Sequence, residues 1–180
     1  MARDIHTAIV LGRPGAIDWR ILPPSLPVDA PIPADRSKTP VTSRDEERDP
    51  PTPLTRALEA FKLMSPMRDI LDLEQDGPCP KDYTKVDKVY AQCMALSEAI
   101  PAYFRLENPD TRWDDHPECF WIPSVRFYLP QLHLFNLMAL HRPYVFNRAK
   151  SRQEALKASI DMLHRQKLTF KGTPRNSWKK

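Results

Sequence analysis

The chain is expected to be all-α, an irregular helical bundle with a proline-rich extended N-terminal segment. Three observations predict this. Apolar residues recur at helical spacing through several stretches after residue 52. Strand signals are confined to "TAIVLG" (7–12). Ten of the twenty prolines fall before residue 54, and proline lacks an N–H and fixes φ, so neither helix nor sheet starts readily there. With 180 residues the chain has the length of one domain with one core. Its 41% apolar and 28% charged residues suit helices that pack while part of the length stays unpacked.

Residues 12–53 read as extended. "LPPSLPVDAPIPAD" (22–35) spaces its prolines as a polyproline-type strap, with Ile21, Leu22, Leu26, Val28 and Ile32 expected against a surface. "RSKTPVTSRDEERDPP" (36–51) is charged and reads as a loop. Residues 1–51 therefore form a proline-rich segment and loop, 52–168 a helical core, and 169–180 a disordered basic tail.

The first helix spans 52–74, opening at Thr52 with Pro53 at its first position. Leu54, Ala57, Leu58, Phe61 and Met64 make its stripe, and Ser65-Pro66 kinks or splits it. The second covers 81–100, with Tyr83, Val86, Val89, Tyr90, Cys93, Leu96 and Ile100 at helical spacing. "TRWDDHPECFWIP" (111–123) is a loop. The third helix, about 123–141, is apolar nearly all round and belongs inside a larger bundle; Pro130 should bend it. The fourth opens with a capping box, Ser151-x-x-Glu154, and Leu156, Ile160 and Leu163 are expected as its buried stripe.

Charge is uneven. From Arg142 to Lys180 there are eleven Lys or Arg against two acids, Glu154 and Asp161, a net of +9 within a chain of net +4. Such a run reads first as a solvated face and tail. Cys79, Cys93 and Cys119 have no zinc-type spacing, and their odd number, without a leader pattern, suits a reducing compartment. The best membrane window, 121–140, carries Arg126, Gln131, His133, Asn136 and two prolines, so no span is expected.

The stretch "LMALHRPYVFNR" (138–149) puts a histidine beside an arginine at the end of an apolar run. His133 lies about 80° round the helix from His141 and ~12 Å along it, so the two share no metal. His116 has acids and Cys119 nearby in sequence, but on a polar loop without ligand spacing. No nucleophile elbow, phosphate loop or dinucleotide fingerprint occurs. No catalytic or metal-binding residue is therefore expected, and no ligand contact is identified. Pro143 disfavours the α conformation at Arg142, so the helix must stop near Leu140 or His141. Positive charge there is favourable against the macrodipole. Tyr144, Val145 and Phe146 are expected to fold back as an apolar clasp before Ser151 starts the next helix.

Two motifs in order, "LGRPGAID" (11–18) and "LHRPY" (140–144), carry a resemblance. The chain is similar to the fungal-specific transcription factor domain, the all-helical middle homology region of fungal zinc binuclear-cluster transcription factors. The matching positions are Gly12, Arg13, Pro14 and Ile17 with the proline run 22–33, then Leu140, His141, Arg142, Pro143 and Tyr144 closing a long apolar helix, then Ser151 opening a helix to Leu163. The similarity covers about 10–165. It implies these residues are structural corners rather than ligand contacts.

The same resemblance implies a nuclear protein that regulates transcription by RNA polymerase II through contacts with transcriptional co-regulators or other subunits. The family's six-cysteine cluster, which holds two zinc ions and reads DNA, has no counterpart in three scattered cysteines. No cofactor and no sequence-specific DNA binding are thus expected of this chain, which reads as a truncated member. Other readings stay open. Tyr128, His133 and Asn136 would rim a small-molecule cavity, Trp178, Lys179 and Lys180 would touch a phosphate backbone non-specifically, and exposed apolar helices would drive self-association or loss of a non-functional product.

Overall fold

The computed structural model describes residues 25–31, 35, 37 and 42–172. The fold class is all-α, and no strand occurs among the described residues. Helix α1 spans Pro53–Met64, α2 Met67–Gln75, α3 Thr84–Glu98, α4 Ile122–His141 and α5 Ala149–Gly172, with 3-10 turns at Ala102–Phe104 and Arg142–Tyr144. Gly12, Arg13, Pro14 and Ile17, the stretch 7–12, and Trp178, Lys179 and Lys180 lie outside the described residues, as do Ile21, Leu22 and Ile32.

The helix boundaries follow local chemistry. Thr52 caps α1: its Oγ1 accepts from the N–H groups of Leu54 at 3.1 Å and Thr55 at 3.3 Å, satisfying donors that have no intrahelical partner. Pro53 sits at the first helical position, where its missing N–H costs nothing. The break expected at Ser65-Pro66 separates α1 from α2. At the end of α2, Gly77 takes a φ of +81°, the left-handed conformation that closes helices and that glycine adopts without a Cβ penalty. Pro130 lies inside α4, so the N–H that the Arg126 carbonyl would receive there is absent.

The chain divides into two compact units. One holds the described residues up to Lys62 together with Ile100–Arg126; the other holds Leu63–Ala99 and the described residues from Phe127 onward.

The first unit is organised by buried arginines. Arg44 donates to Asp29 Oδ2 at 3.3 Å, to the Asp49 carbonyl at 3.0 Å and to the Tyr103 hydroxyl at 3.3 Å. Asp29 also accepts from the hydroxyls of Thr52 and Thr55, each at 2.7 Å. Arg126, buried on the first part of α4, grips Asp114 with two nitrogens at 2.6 and 2.7 Å. It also donates to the carbonyls of Tyr103 at 2.9 Å and Asp110 at 3.0 Å. The planar fork matches the carboxylate, and every arm is used, which is what makes a buried cation tolerable. The expected apolar strap differs here. Leu26 and Val28 are exposed, and the segment is held by the polar anchor Asp29 instead.

The second unit has a conventional apolar core in which α2 packs on α3. Met67, Ile70, Val86, Cys93, Leu129 and Leu140 are all nearly inaccessible. Asn136, also buried, donates from Nδ2 to the Leu63 carbonyl at 2.6 Å. That carbonyl belongs to the last turn of α1, where the ladder is cut by the Ser65-Pro66 break, so α4 supplies the missing donor.

Two expectations for α5 are corrected. Leu156 is 61%, Ile160 43% and Leu163 64% exposed, so they do not form a buried stripe. The inward face carries short side chains, the buried Ser151 and Ala158, and α5 packs on the Arg142–Tyr144 turn. Nor is Ser151 the N-cap. The helix begins two residues earlier, at Ala149, and the Arg148 carbonyl already accepts from Arg152 N at 3.1 Å. At its far end α5 continues to Gly172, through four positions of the stretch expected to be a disordered tail.

Candidate functional site

Among the described residues, several of those that the sequence singles out gather at the corner between α4 and α5. The corner forms because Pro143 cannot supply an N–H to the α4 ladder. The α-helix ends at His141, the chain tightens into the Arg142–Tyr144 turn, and Asn147 and Arg148 both donate their N–H groups to the Tyr144 carbonyl, at 3.2 and 2.9 Å. Leu140, His141, Tyr144 and Ser151 are buried there, Pro143 is half-buried and Arg142 is exposed. The apolar clasp is only partly realised: Tyr144 is 1% exposed, but Phe146 is 89% exposed.

At the centre, His141 Nδ1 and Ser151 Oγ lie 3.1 Å apart, with both residues fully buried. The Tyr90 ring of α3 stands 5.5 Å from the imidazole, and its hydroxyl donates to Glu154 Oε2 at 3.3 Å. Below it, Tyr83 meets Tyr144 edge to face at 5.7 Å. Burial pushes the His141 pKa down to about 4, against a smaller opposing pull from Glu154. The ring is therefore neutral near neutrality, and the cation that complements the end of α4 is Arg142 rather than His141. Burial likewise raises the Tyr90 and Tyr144 hydroxyls.

Charge gathers at the start of α5. Arg148 Nη2 and Lys150 Nζ reach the two oxygens of Asp87 on α3, at 2.6 and 2.7 Å. Two cations at the positive end of a helix repel its dipole; the Asp87 carboxylate offsets both, and Lys150, then Arg148, hold its pKa below the usual value. The guanidinium of Arg148 also lies 4.6 Å from the Tyr83 ring, and the Lys150 ammonium 5.2 Å from the Tyr90 ring, both within cation–π range. Asn147 donates to the Pro78 carbonyl and to Cys79 Sγ, each at 3.2 Å, tying the corner to the loop after α2.

A serine beside a histidine raises the question of nucleophilic catalysis. The geometry answers it. Both atoms are sealed from solvent, the bond uses Nδ1, and Nε2 is a buried atom without a hydrogen-bond partner. The adjacent carboxylate, Glu154, is turned to Tyr90. An activated serine needs an accessible hydroxyl and a base oriented by a third group, and the pair has neither.

The other flagged residues are not brought together. Tyr128 is half exposed, Asn136 is spent on Leu63, and His133 is buried with Nδ1 unpartnered. Burial lowers the His133 pKa. His116 Nδ1 accepts from Glu118 N at 3.3 Å. Among the described residues no group of three or more His, Cys, Asp or Glu is placed to hold a metal ion, and no helix is long and apolar enough to cross a membrane.

Sequence reasoning passed over Asp87, Arg148, Lys150, the ring contacts of Tyr83 and the hydroxyl of Tyr90. Tyr83, the residue before α3, and Tyr90 stand seven positions apart at helical spacing, which reads as core; the cations that cover them come from the start of α5, more than fifty positions on. Comparison with family models, with curated proteins and with solved structures finds no match to the chain.

Proposed function

We propose that the chain is a regulatory domain that acts by protein contacts in transcription by RNA polymerase II, in the manner of the fungal-specific transcription factor domain it resembles. It would work in the nucleus, with transcriptional co-regulators or other subunits of a transcription factor as partners. It would have no cofactor of its own and no sequence-specific grip on DNA.

The observation that supports this reading is the Leu140–Tyr144 corner. In it the imidazole of His141 is neutral, buried and bonded to Ser151, and the proline ends one helix and aims the next. Those residues do work of shape. An all-helical domain whose distinctive residues set helix angles, with its Ser–His pair shut away from solvent, is suited to presenting surfaces rather than to turning over a substrate.

The test is a fusion placed between a heterologous DNA-binding module and an activation segment, read on a reporter gene in a fungal host. The proposal expects the chain to change reporter output and the fusion to accumulate in the nucleus. Pro143→Ala, which would let α4 run on, should abolish the effect at unchanged protein level. Output identical with and without the chain would overturn the proposal.

A further inference from the structure

The outward face of α5 carries a pattern that the corner does not use. Leu156, Ile160 and Leu163 stand out from it, 61%, 43% and 64% exposed. Their spacing of four and then three residues puts them in one seam about 60° wide. Isolated exposed leucines are ordinary, but three in register on successive turns form a patch. The seam alternates leucine and isoleucine as the inner positions of a two-helix coil do, with Lys167 at the next inner position.

The surround of the seam is of one sign. Arg152, Lys157 and Lys167 are exposed along it. The two acids of α5 stand elsewhere: Glu154 takes the Tyr90 hydroxyl, and Asp161 lies about 140° round the helix from Leu156. The two charged residues that flank the seam, Arg152 and Lys157, are both basic, and the other flanking positions are Ser159, His164 and Gln166, so no acid stands beside it; that charge selects its occupant. A second copy of this chain would, in a parallel pair, set Arg152 of each chain against Lys157 of the other, a repulsive arrangement at the flanking positions that decide pairing. An anionic membrane would need an unbroken apolar face, and here Lys157 and His164 stand between the seam and the next exposed apolar residue, Leu168.

From the apolar seam and the two cations that flank it, Arg152 and Lys157, we infer that α5 is a docking surface for a partner helix with an apolar stripe flanked by aspartate or glutamate. Leucines of that helix interlock with Leu156, Ile160 and Leu163, and its acids pair with Arg152 and Lys157. The inference deepens the reading of the chain as a contact-making regulatory domain, and rests on it for biological purpose, but not for its geometry.

The experiment uses the full chain and two designed amphipathic peptides with the same leucine seam, one flanked by glutamate and one by lysine. Fluorescence anisotropy should show binding of the glutamate peptide, weakened by salt, and none of the lysine peptide. The double variant Leu156→Ala, Leu163→Ala should bind about tenfold more weakly or worse. Because both leucines are exposed, it should keep the far-ultraviolet circular dichroism of the parent. The variant Arg152→Glu, Lys157→Glu keeps the apolar seam and should shift preference toward the lysine peptide.

Equal binding of both peptides, or of neither, overturns the inference. So does self-association abolished by the leucine variant, or retention on anionic vesicles, in the absence of peptide binding. Failure here with the reporter effect intact removes only this inference. Peptide binding without any reporter effect removes only the transcriptional reading.

Discussion

Ser151 Oγ lies 3.1 Å from His141 Nδ1 across the corner between α4 and α5, and neither residue is reached by solvent. The bond joins the last residue of one helix to the first turn of the next. It therefore fixes the angle between them as well as satisfying two polar groups.

Ser151→Ala should cost about 1–3 kcal/mol, the range for leaving a buried polar group unpaired, since Nε2 has no partner to share the load. Urea unfolding of the single variants and of the double variant with His141→Leu checks this. The double variant should be less destabilised than the sum of the singles, because it removes both halves of the bond.

Stability should depend on pH through His141. Its pKa is depressed on folding, from 6.5 to about 4, so the unfolded chain takes up the proton first. The contribution is fully present above about pH 6.5 and is lost progressively as pH falls toward about pH 4. The urea midpoint should fall through that window in the parent. In His141→Leu that part of the slope should be missing.

Arg126→Met should destabilise by roughly 3 kcal/mol. It strips Asp114 of its counter-charge and leaves the carbonyls of Tyr103 and Asp110 without their donor. Arg126→Lys should recover only part of the loss, because a point charge cannot reproduce the two-pronged grip. Thermal unfolding of the three proteins orders them.

The cysteines should differ in reactivity. Burial pushes the Cys93 thiol up to about 12 and raises Cys119 as well, while Cys79 is exposed. Thiolates, not thiols, react with alkylating agents. Mass spectrometry after brief treatment of the native chain should find Cys79 modified and the other two intact; in denaturant all three should react.

How much of this was legible in the sequence varies by kind of signal. Periodicity and proline position were enough for the α1–α2 break at Ser65-Pro66 and for the end of α4 before Pro143, because both follow from one missing N–H. The capping-box pattern at Ser151 misled, because the tight turn at Arg142–Tyr144 brings the helix start forward and His141 claims the hydroxyl. The Leu156–Ile160–Leu163 stripe misled in another way. Helical spacing reveals which residues share a face, not which way the face points, and the buried Ser151 and Ala158 take the inward side. The Arg126–Asp114 and Asp87–Arg148 pairs left no local trace, since twelve and sixty-one positions separate the partners.

The central claim is that the His-Arg-Pro corner serves shape, with a neutral imidazole locked against a helix hydroxyl. Nuclear magnetic resonance titration of the His141 ring tests it most directly. The account predicts an imidazole that stays neutral as pH falls and protonates only near about 4, with its shift disturbed by Ser151→Ala. A ring that titrates near 6.5 and ignores Ser151→Ala would contradict it.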